Sequence, residues 1–285
     1  MRHSTVRMRV YEKDYPYLSL ARCAVSLHSH TQFSMDTLSF LPEYASQVPI
    51  LGRLFTQEVK RFQSQRGMSL DFSRFHWNPP ASPEMVWDSE KAQIERMLEV
   101  SPLVSVTDHN DISAGLQLAK SRILDSPPIS LEWSVPYENT SFHLGVHNLP
   151  PGSAVQWMKK MRNYRDNPNP SRLNMLLSSL SAHPQVLIVL NHPFWDQRNL
   201  GPSLHLEAVL RLLKANHGWI HALEFNGHRS HRENKAVLQL AKSCRLPVVA
   251  GGIGQTAFRF TWKTNSPVRC RITGKTAGRG GCNSP

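Results

Sequence analysis

The sequence has no apolar segment long enough to cross a membrane and no closely spaced cysteines. None of its hydrophobic runs approaches the ~20 residues that span a bilayer. The four cysteines are scattered without a CxxC pair, which argues against a disulfide framework or a cysteine-based zinc site. Basic residues lie at the start of the chain, but Glu12 and Asp14 come before any apolar segment of the kind that a signal peptide contains. No signal peptide is therefore predicted. We therefore expect a cytoplasmic protein without a membrane partner.

Acidic residues are absent from the last part of the chain. The net charge is +12, and six of the lysines and arginines lie between Gly254 and Pro285. The rest of the chain therefore carries about half of the excess positive charge. Such a charge is ordinary for an enzyme with anionic substrates. The tail also lacks apolar periodicity. Such a segment can contact phosphate backbones, so nucleic acid remains a candidate partner.

Seven short apolar runs alternate with segments of helical periodicity. The runs are rich in Val, Leu and Ile without strict polar alternation, as expected of strands covered on both faces. They span residues 24–27, 103–106, 129–133, 142–146, 186–190, 220–225 and 247–250. This alternation predicts an α/β fold with parallel strands. Seven strands favour a TIM-like (β/α)7 barrel, although periodicity alone leaves an open sheet as an alternative.

One segment departs from the alternation. Residues 44–88 are too long for a simple crossover and contain several aromatic side chains. We interpret them as an insertion after the first strand that either borders the substrate pocket or covers the barrel. The predicted organisation is a lead-in of residues 1–22, a barrel domain of residues 23–253 and a basic tail of residues 254–285.

Histidines and acids gather where the predicted strands end. They are His28 and His30 after the first run, Asp108 and His109 after the second, Glu132 in the third, His143 in the fourth, His192 after the fifth and Glu224 in the sixth. Because parallel strands share one direction, their ends converge on one rim. Imidazoles and carboxylates on one rim predict a site for Zn, Mn or Fe. For the other histidines, an ordinary packed or hydrogen-bonded role is the better interpretation.

The order of these motifs (HxH, TDHN, a strand Glu, HLG, NHP) resembles the PHP family, named for polymerase and histidinol phosphatase domains. The resemblance extends from about Ala24 to Gly252. It implies a distorted barrel of seven parallel strands with two or three divalent ions, commonly Zn, Mn or Fe. The implied ligands are His28, His30, Asp36, His109, Glu132, His143 and His192. The implied catalytic residues are Glu132, as a carboxylate bridging two ions, and Asp108, as an orienting or acid–base partner.

Two positions depart from the family's pattern. The acid of the first motif is Asp36, one residue later than usual, at a spacing that some relatives use. The seventh strand should end in an Asp ligand, but Ile253-Gly254-Gln255-Thr256 follows it and offers none. A change of reading frame in the gene would explain both this loss and the composition of the tail.

Two functions follow as hypotheses. The first is hydrolysis of a phosphate ester by metal-activated water, on a phosphorylated small molecule, a nucleotide or a nucleic acid end. The second is a catalytically impaired barrel that binds metal or nucleic acid without turnover because its last ligand is missing.

Overall fold

The computed structural model describes residues 22–34, 41–46, 49–72, 81–125, 127–227 and 229–251. Its elements in chain order are β1 (Cys23–Ser26), α1 (Leu41–Ser46), α2 (Pro49–Arg66), α3 (Pro83–Leu98), β2 (Ser101–Val104), α4 (Ser113–Ser121), β3 (Leu131–Tyr137), β4 (Thr140–His147), α5 (Ala154–Asp166), α6 (Pro170–Ser181), β5 (Leu187–Asn191), α7 (Pro202–Asn216), β6 (Ala222–Asn226), α8 (His231–Cys244) and β7 (Val248–Gly251). A 3-10 turn, Pro151–Ser153, precedes α5. Each predicted strand has a counterpart displaced by a few residues. Asp36 and the tail after Gly254 lie outside the described residues.

The strands form two sheets. β1 and β2 pair in parallel, and the other five follow one another in the order β3-β4-β5-β6-β7. One parallel bridge, between His109 and Glu132, connects the segment after β2 to β3. The fold is therefore mixed α/β, and no closed barrel is formed by the residues that the structure describes.

The prediction of parallel strands throughout is wrong for β4, which runs antiparallel to both β3 and β5. The reason is the connection from β3, where only Glu138 and Asn139 separate the paired residues Tyr137 and Thr140. A parallel crossover needs a dozen or more residues, whereas two residues close a hairpin. Glu138 has φ 51°, a left-handed conformation of the kind that such turns use.

The reversal of β4 keeps His143 on the predicted rim. In a parallel strand the rim residue comes last, but in the reversed strand it lies in the first half. His143 pairs with Asn191, the last residue of β5, and with Ser134 of β3. The hairpin therefore presents His143 beside the ends of the parallel strands.

Two hydrophobic clusters hold the elements together. The larger one lies between the five-stranded sheet and α5 to α8, with Trp133, Leu144, Met161, Ile188 and Leu212 among its fully buried members. The smaller one packs β1 and β2 against α3 and α4. Burial at ~25 cal/mol per Å² of apolar surface makes these clusters the main source of stability, and they support the strand ends that carry the polar rim.

The predicted insertion and helix boundaries are partly different in the structure. The described part of residues 44–88 is helical, with α2 as its longest element. The segment of helical periodicity before the second strand forms α3, which begins at Pro83 because Ser82 accepts a hydrogen bond from the Met85 amide and caps the helix. None of the helices in the described ranges is long and apolar enough to span a bilayer.

Candidate metal centre

Glu132 lies at the centre of the predicted rim and is fully buried. One of its oxygens, Oε2, is 3.2 Å from His28 Nε2, 3.1 Å from His30 Nε2 and 3.3 Å from His109 Nδ1. The other, Oε1, is 3.3 Å from His143 Nδ1 and 3.0 Å from His192 Nε2. Five imidazoles, four of them from the segments after β1, β2 and β5 and one from the β3–β4 hairpin, thus converge on one carboxylate.

These imidazoles form a closed ring around Glu132. The ring centroids are 5.0 Å apart for His28–His30, 4.6 Å for His30–His109, 4.9 Å for His109–His143, 5.1 Å for His143–His192 and 5.7 Å for His192–His28. Six of the seven ligands predicted from the sequence are therefore in one place. The seventh, Asp36, lies outside the described residues.

The spacing of the donor atoms fits bound cations. Two ligand atoms that bind one ion at 2.0–2.2 Å lie about 2.9–3.4 Å apart in octahedral to tetrahedral geometry. The five nitrogen–oxygen separations at Glu132 fall in this interval, as does the 3.1 Å between His28 Nε2 and His30 Nε2. Three groups have donor atoms close enough to share an ion: His28, His30 and Glu132; His28, His192 and Glu224; and His109, Glu132 and His143.

Hydrogen bonding alone does not satisfy the cluster. A carboxylate has about four lone-pair positions, but Glu132 is approached by the five imidazoles and by the Asn191 amide, whose Nδ2 donates to Oε1 at 3.0 Å. His143 Nδ1 is buried and has no hydrogen-bond partner, although Glu132 Oε1 is close. Divalent cations would use the surplus nitrogen lone pairs, so the residues present fit a metal site of mixed nitrogen and oxygen ligands.

Electrostatics within the cluster are strongly coupled. Burial alone would raise the pKa of Glu132, but the charges of His28, His109 and His143 outweigh it and hold that pKa well below its usual range. Burial would lower the pKa of His28, but Glu132 and Glu224 raise it well above the ordinary value. Burial lowers the pKa of His192 despite its bond to Glu132. The protein therefore maintains a negative carboxylate at the centre of the imidazoles.

Glu224 is a functional candidate whose contacts the sequence did not predict. Its Oε1 accepts a 2.6 Å hydrogen bond from His28 Nδ1, and its Oε2 accepts one of 2.8 Å from the His192 backbone. Burial opposes its ionisation, but His28 lowers the pKa of Glu224 to about 2. In the sequence, Glu224 is identified only by its position in the sixth strand, two residues before Asn226. That position does not show which residues the Glu224 side chain contacts.

Asp108 lies beside the ring and is bound to the HxH segment. Its two oxygens accept hydrogen bonds from the Thr31 amide at 2.5 Å and the Thr31 hydroxyl at 2.7 Å. Burial raises the pKa of Asp108 even though these bonds oppose the shift. In this arrangement its carboxylate orients the segment that carries His30, while a catalytic role for Asp108 stays a prediction.

A second polar layer lies beneath Glu132. His147 is buried, and its Nδ1 is 2.8 Å from the Ser105 hydroxyl; burial together with the charge of His28 lowers the pKa of His147 to about 3. Gly145 faces Glu132 across the hairpin. A Cβ at Gly145 would lie only 2.7 Å from His147 Nε2 and 2.9 Å from Asn191 Oδ1. The absence of a side chain at Gly145 therefore leaves room for both residues.

The segment after β5 places an aromatic side chain and a cation at the edge of the ring. His192 has φ 27°, a strained conformation for a residue with a side chain. Trp195 packs edge-on against His143 and His192, with centroids 5.2 and 5.0 Å away. The Arg229 guanidinium lies 4.6 Å from the Trp195 ring. His192, Glu224, Asn226 and Arg229 line one pocket.

No family model matches the chain, and no curated protein matches it. Solved structures with a similar backbone trace include an amidohydrolase from Chromobacterium violaceum, solved with bound sulfate and no metal. The two sequences are 13% identical, and the TM-score is 0.45 over 82% of this chain and 88% of that one. Another is a protein assigned as a metal-dependent phosphoesterase from Bifidobacterium adolescentis, at 12% identity and a TM-score of 0.41 over 80% of this chain and 86% of that one. At this level of similarity, neither neighbour's activity transfers to this chain.

Proposed function

We propose that the chain is a metal-dependent phosphoesterase of the PHP type, with a distorted barrel of seven strands as its complete fold. The observation that carries the proposal is the ring of five imidazoles around the buried carboxylate of Glu132. The order of the motifs in the sequence adds support, because each contributes a side chain to this ring. A structural role alone does not explain the ring, since buried polar groups normally occur with as many partners as they need.

The ligands in this proposal are His28, His30, Asp36, His109, Glu132, His143 and His192, holding two or three ions of Zn, Mn or Fe. Bound ions would supply Lewis acidity to phosphate oxygens and would lower the pKa of water toward neutrality. Glu132 divides its two oxygens between the two halves of the ring, with His28, His30 and His109 on one side and His143 and His192 on the other. This division of contacts supports the proposal that Glu132 would be shared by two ions.

Arg229 is the side chain that we assign to the substrate phosphate. Guanidinium groups match phosphate geometry, and Arg229 lies over the ring of Trp195, which packs against His143 and His192 at the edge of the imidazole ring. Burial lowers the pKa of Arg229, while Glu233, Glu224 and Glu132 favour its charged form. Arg198 and Arg232 are exposed, so they are weaker candidates. The substrate is then a phosphomonoester, a nucleotide or a nucleic acid end.

Metal analysis combined with an activity assay tests this function. The protein is reconstituted with Mn, Fe or Zn in turn, its metal content is measured, and hydrolysis of an aryl phosphate is followed. We expect tightly held metal and phosphate release in wild type, and loss of both in the double variant His28→Ala/His30→Ala. His217→Ala is the control, because His217 is exposed and bonds the carbonyl of Cys244. Wild-type protein that retains no metal under any of these conditions would contradict the proposal.

The second candidate function is binding without turnover. The observation that favours it is the sequence after β7, where Ile253 to Thr256 supplies no ligand. The substitution Ile253→Asp separates the two functions. If a ligand is missing, the variant binds one ion more tightly and hydrolyses faster than wild type. A wild-type enzyme that already turns over rapidly would exclude this second function, and salt-dependent binding of single-stranded nucleic acid without hydrolysis would favour it.

A further inference from the structure

We propose that Glu224 is the positioning carboxylate of the metal centre: it fixes the orientation of His28 and the backbone of His192, and it binds no ion itself. The inference rests on the proposed metal site. Glu224, His28 and His192 have donor atoms within reach of one another, so they could also be interpreted as three ligands of one ion. The distances between their atoms decide between these two roles.

The contact between Glu224 and His28 is too short for two donors on one ion. Glu224 Oε1 and His28 Nδ1 are 2.6 Å apart, whereas ligand atoms that share an ion lie about 2.9–3.4 Å apart. A separation of 2.6 Å is that of a short charge-assisted hydrogen bond. The contacts of Glu132 with the imidazoles, at 3.0–3.3 Å, are all longer. The two carboxylates of the site therefore have different roles.

The other contacts of Glu224 also engage its oxygens. Oε2 accepts from the His192 backbone at 2.8 Å, and the Asn226 amide donates to Oε1 at 3.3 Å. The side chain is almost fully buried. With both oxygens already accepting hydrogen bonds inside the protein, Glu224 has little capacity left for a cation.

The bond to Glu224 determines which nitrogen of His28 can bind metal. When Nδ1 carries the proton and donates it to Glu224, the lone pair of the neutral ring lies on Nε2. That atom is 3.2 Å from Glu132 Oε2 and 3.1 Å from His30 Nε2, which places it among the other ligand atoms. The carboxylate of Glu224 thus selects the tautomer and increases the basicity of a metal-binding imidazole.

The same carboxylate connects two ligand segments that are far apart in sequence. His28 follows β1 and His192 follows β5, and Glu224 of β6 binds both. The hydrogen bond to the amide of His192 holds that residue in its strained backbone conformation, with φ 27°. Loss of Glu224 should therefore loosen two ligands at once without removing either of them.

The test compares Glu224→Gln and Glu224→Ala with wild type in metal titrations. Zn or Mn affinity is measured by competition with a chromophoric chelator, and the number of bound ions is measured at saturation. We expect an unchanged number of ions in both variants, an affinity about 10- to 100-fold weaker in Glu224→Ala, and a smaller loss in Glu224→Gln. The glutamine retains an oxygen that can accept from His28 Nδ1, so it should restore part of the affinity.

Glu207→Gln is the matched control, because Glu207 is an exposed carboxylate on α7 and should leave both quantities unchanged. If Glu224→Gln lowers the number of ions at saturation, Glu224 is a ligand and the inference is wrong. Wild-type affinity in Glu224→Ala would show that Glu224 only supports packing. If wild type itself binds no metal, the proposed metal centre fails, which is a different result from an effect confined to Glu224.

Discussion

At the scale of single residues, Glu132 has the most connected position in the site. It belongs to β3, is fully buried, and contacts five imidazoles and the amide of Asn191. A buried carboxylate of this kind is costly unless positive charge compensates it. The charges of His28, His109 and His143 provide part of this compensation, and the cations of the proposed metal centre would provide the rest.

Replacing Glu132 by Gln should impair metal binding and catalysis more than folding. The amide preserves the shape of the side chain but removes the charge that two cations would share. We expect at least one ion fewer per chain and phosphate-ester hydrolysis reduced more than about 100-fold, with little change in the circular dichroism spectrum. Glu138→Gln serves as control, since Glu138 lies in the β3–β4 turn and pairs with Arg211. Equal metal content and rate in Glu132→Gln would show that Glu132 is a structural residue of its strand.

Gly145→Ala should disturb Glu132 from the opposite strand. The new Cβ would lie 2.7 Å from His147 Nε2 and 2.9 Å from Asn191 Oδ1, so Asn191 would have to move away from the carboxylate that it binds. Overpacking of this kind typically costs about 1–3 kcal/mol, and we also expect metal affinity to fall about tenfold. Denaturant unfolding and a chelator competition measure the two effects. Gly152→Ala is the control, because its Cβ would meet no atom within 4 Å; similar results for both variants would disprove the close packing at Gly145.

Arg229→Gln should weaken the binding of the substrate phosphate. A hydrogen bond to a charged group contributes about 1.5–3 kcal/mol, so KM for an aryl phosphate should rise about 10- to 100-fold, while metal content stays the same. Inorganic phosphate should also inhibit the variant less. Arg232→Gln changes an exposed arginine on α8 and should have no effect. An unchanged KM and phosphate inhibition constant in Arg229→Gln would remove Arg229 from the substrate site.

At the scale of secondary structure elements, the β3–β4 hairpin marks the limit of what apolar patterning predicts. The composition of the fourth run identified a strand, and the HLG motif placed His143 in it. The direction of that strand depends instead on the turn. Glu138-Asn139 is a weaker hairpin signal than Asn-Gly. The two turn residues thus determine that β4 runs antiparallel to its neighbours, which the hydrophobic pattern does not predict.

The packing of α3 on β1 includes a buried acid whose ionisation should lower stability. Glu90 is buried and accepts a 2.8 Å hydrogen bond from Ser26. Burial raises the pKa of Glu90 despite that bond. A carboxyl whose pKa is higher in the folded state takes up a proton on folding, so its stabilising contribution is complete below the unfolded-state pKa of about 4.3 and is lost as pH rises through the folded-state pKa.

Glu90→Gln should therefore unfold at a higher urea concentration than wild type at pH 7, and this advantage should shrink toward pH 4. The glutamine still offers an oxygen to Ser26 but cannot ionise. Urea unfolding of both proteins at the two pH values measures the difference and cancels the titration of the histidines, which both share. Glu95→Gln, on the exposed side of the same helix, is the control. A constant difference between pH 4 and pH 7 would contradict this account of Glu90.

At the scale of the whole molecule, the proposed ligands come from positions as distant in the sequence as His28 and His192, so metal binding should stabilise the complete fold. A ligand present at 100 times its dissociation constant adds about 2.7 kcal/mol to the free energy of unfolding. For a domain of this size we expect the midpoint of thermal unfolding to rise by several degrees when metal is added. Differential scanning calorimetry with and without a chelator measures it. The shift should disappear in His28→Ala/His30→Ala and persist in His217→Ala.

The sequence predicts which side chains lie close together better than it predicts the architecture that positions them. Histidines at successive strand ends could be placed together because strand direction makes their ends meet, and five of the implied ligands do converge on a sixth, Glu132. The roles of Asn191, His147 and Glu224 could not be predicted, because they depend on which side chains face each other across separate strands. The requirement for glycine at Gly145 could not be predicted either, because only the positions of the neighbouring atoms show why a side chain is excluded there.

The two sheets have a consequence for motion within the molecule. Among the described residues, the strand pairing between the two sheets is limited to the bridge of His109 with Glu132, and each sheet has its own hydrophobic cluster. His28, His30 and His109 follow the small sheet, while Glu132, His143, His192 and Glu224 belong to the large one. Bound ions would thus connect two halves that the backbone joins weakly. In the metal-free protein, the amide hydrogens of β1 and β2 should exchange faster than those of the large sheet. The reason is that the small sheet and its cluster can open while the large sheet stays folded.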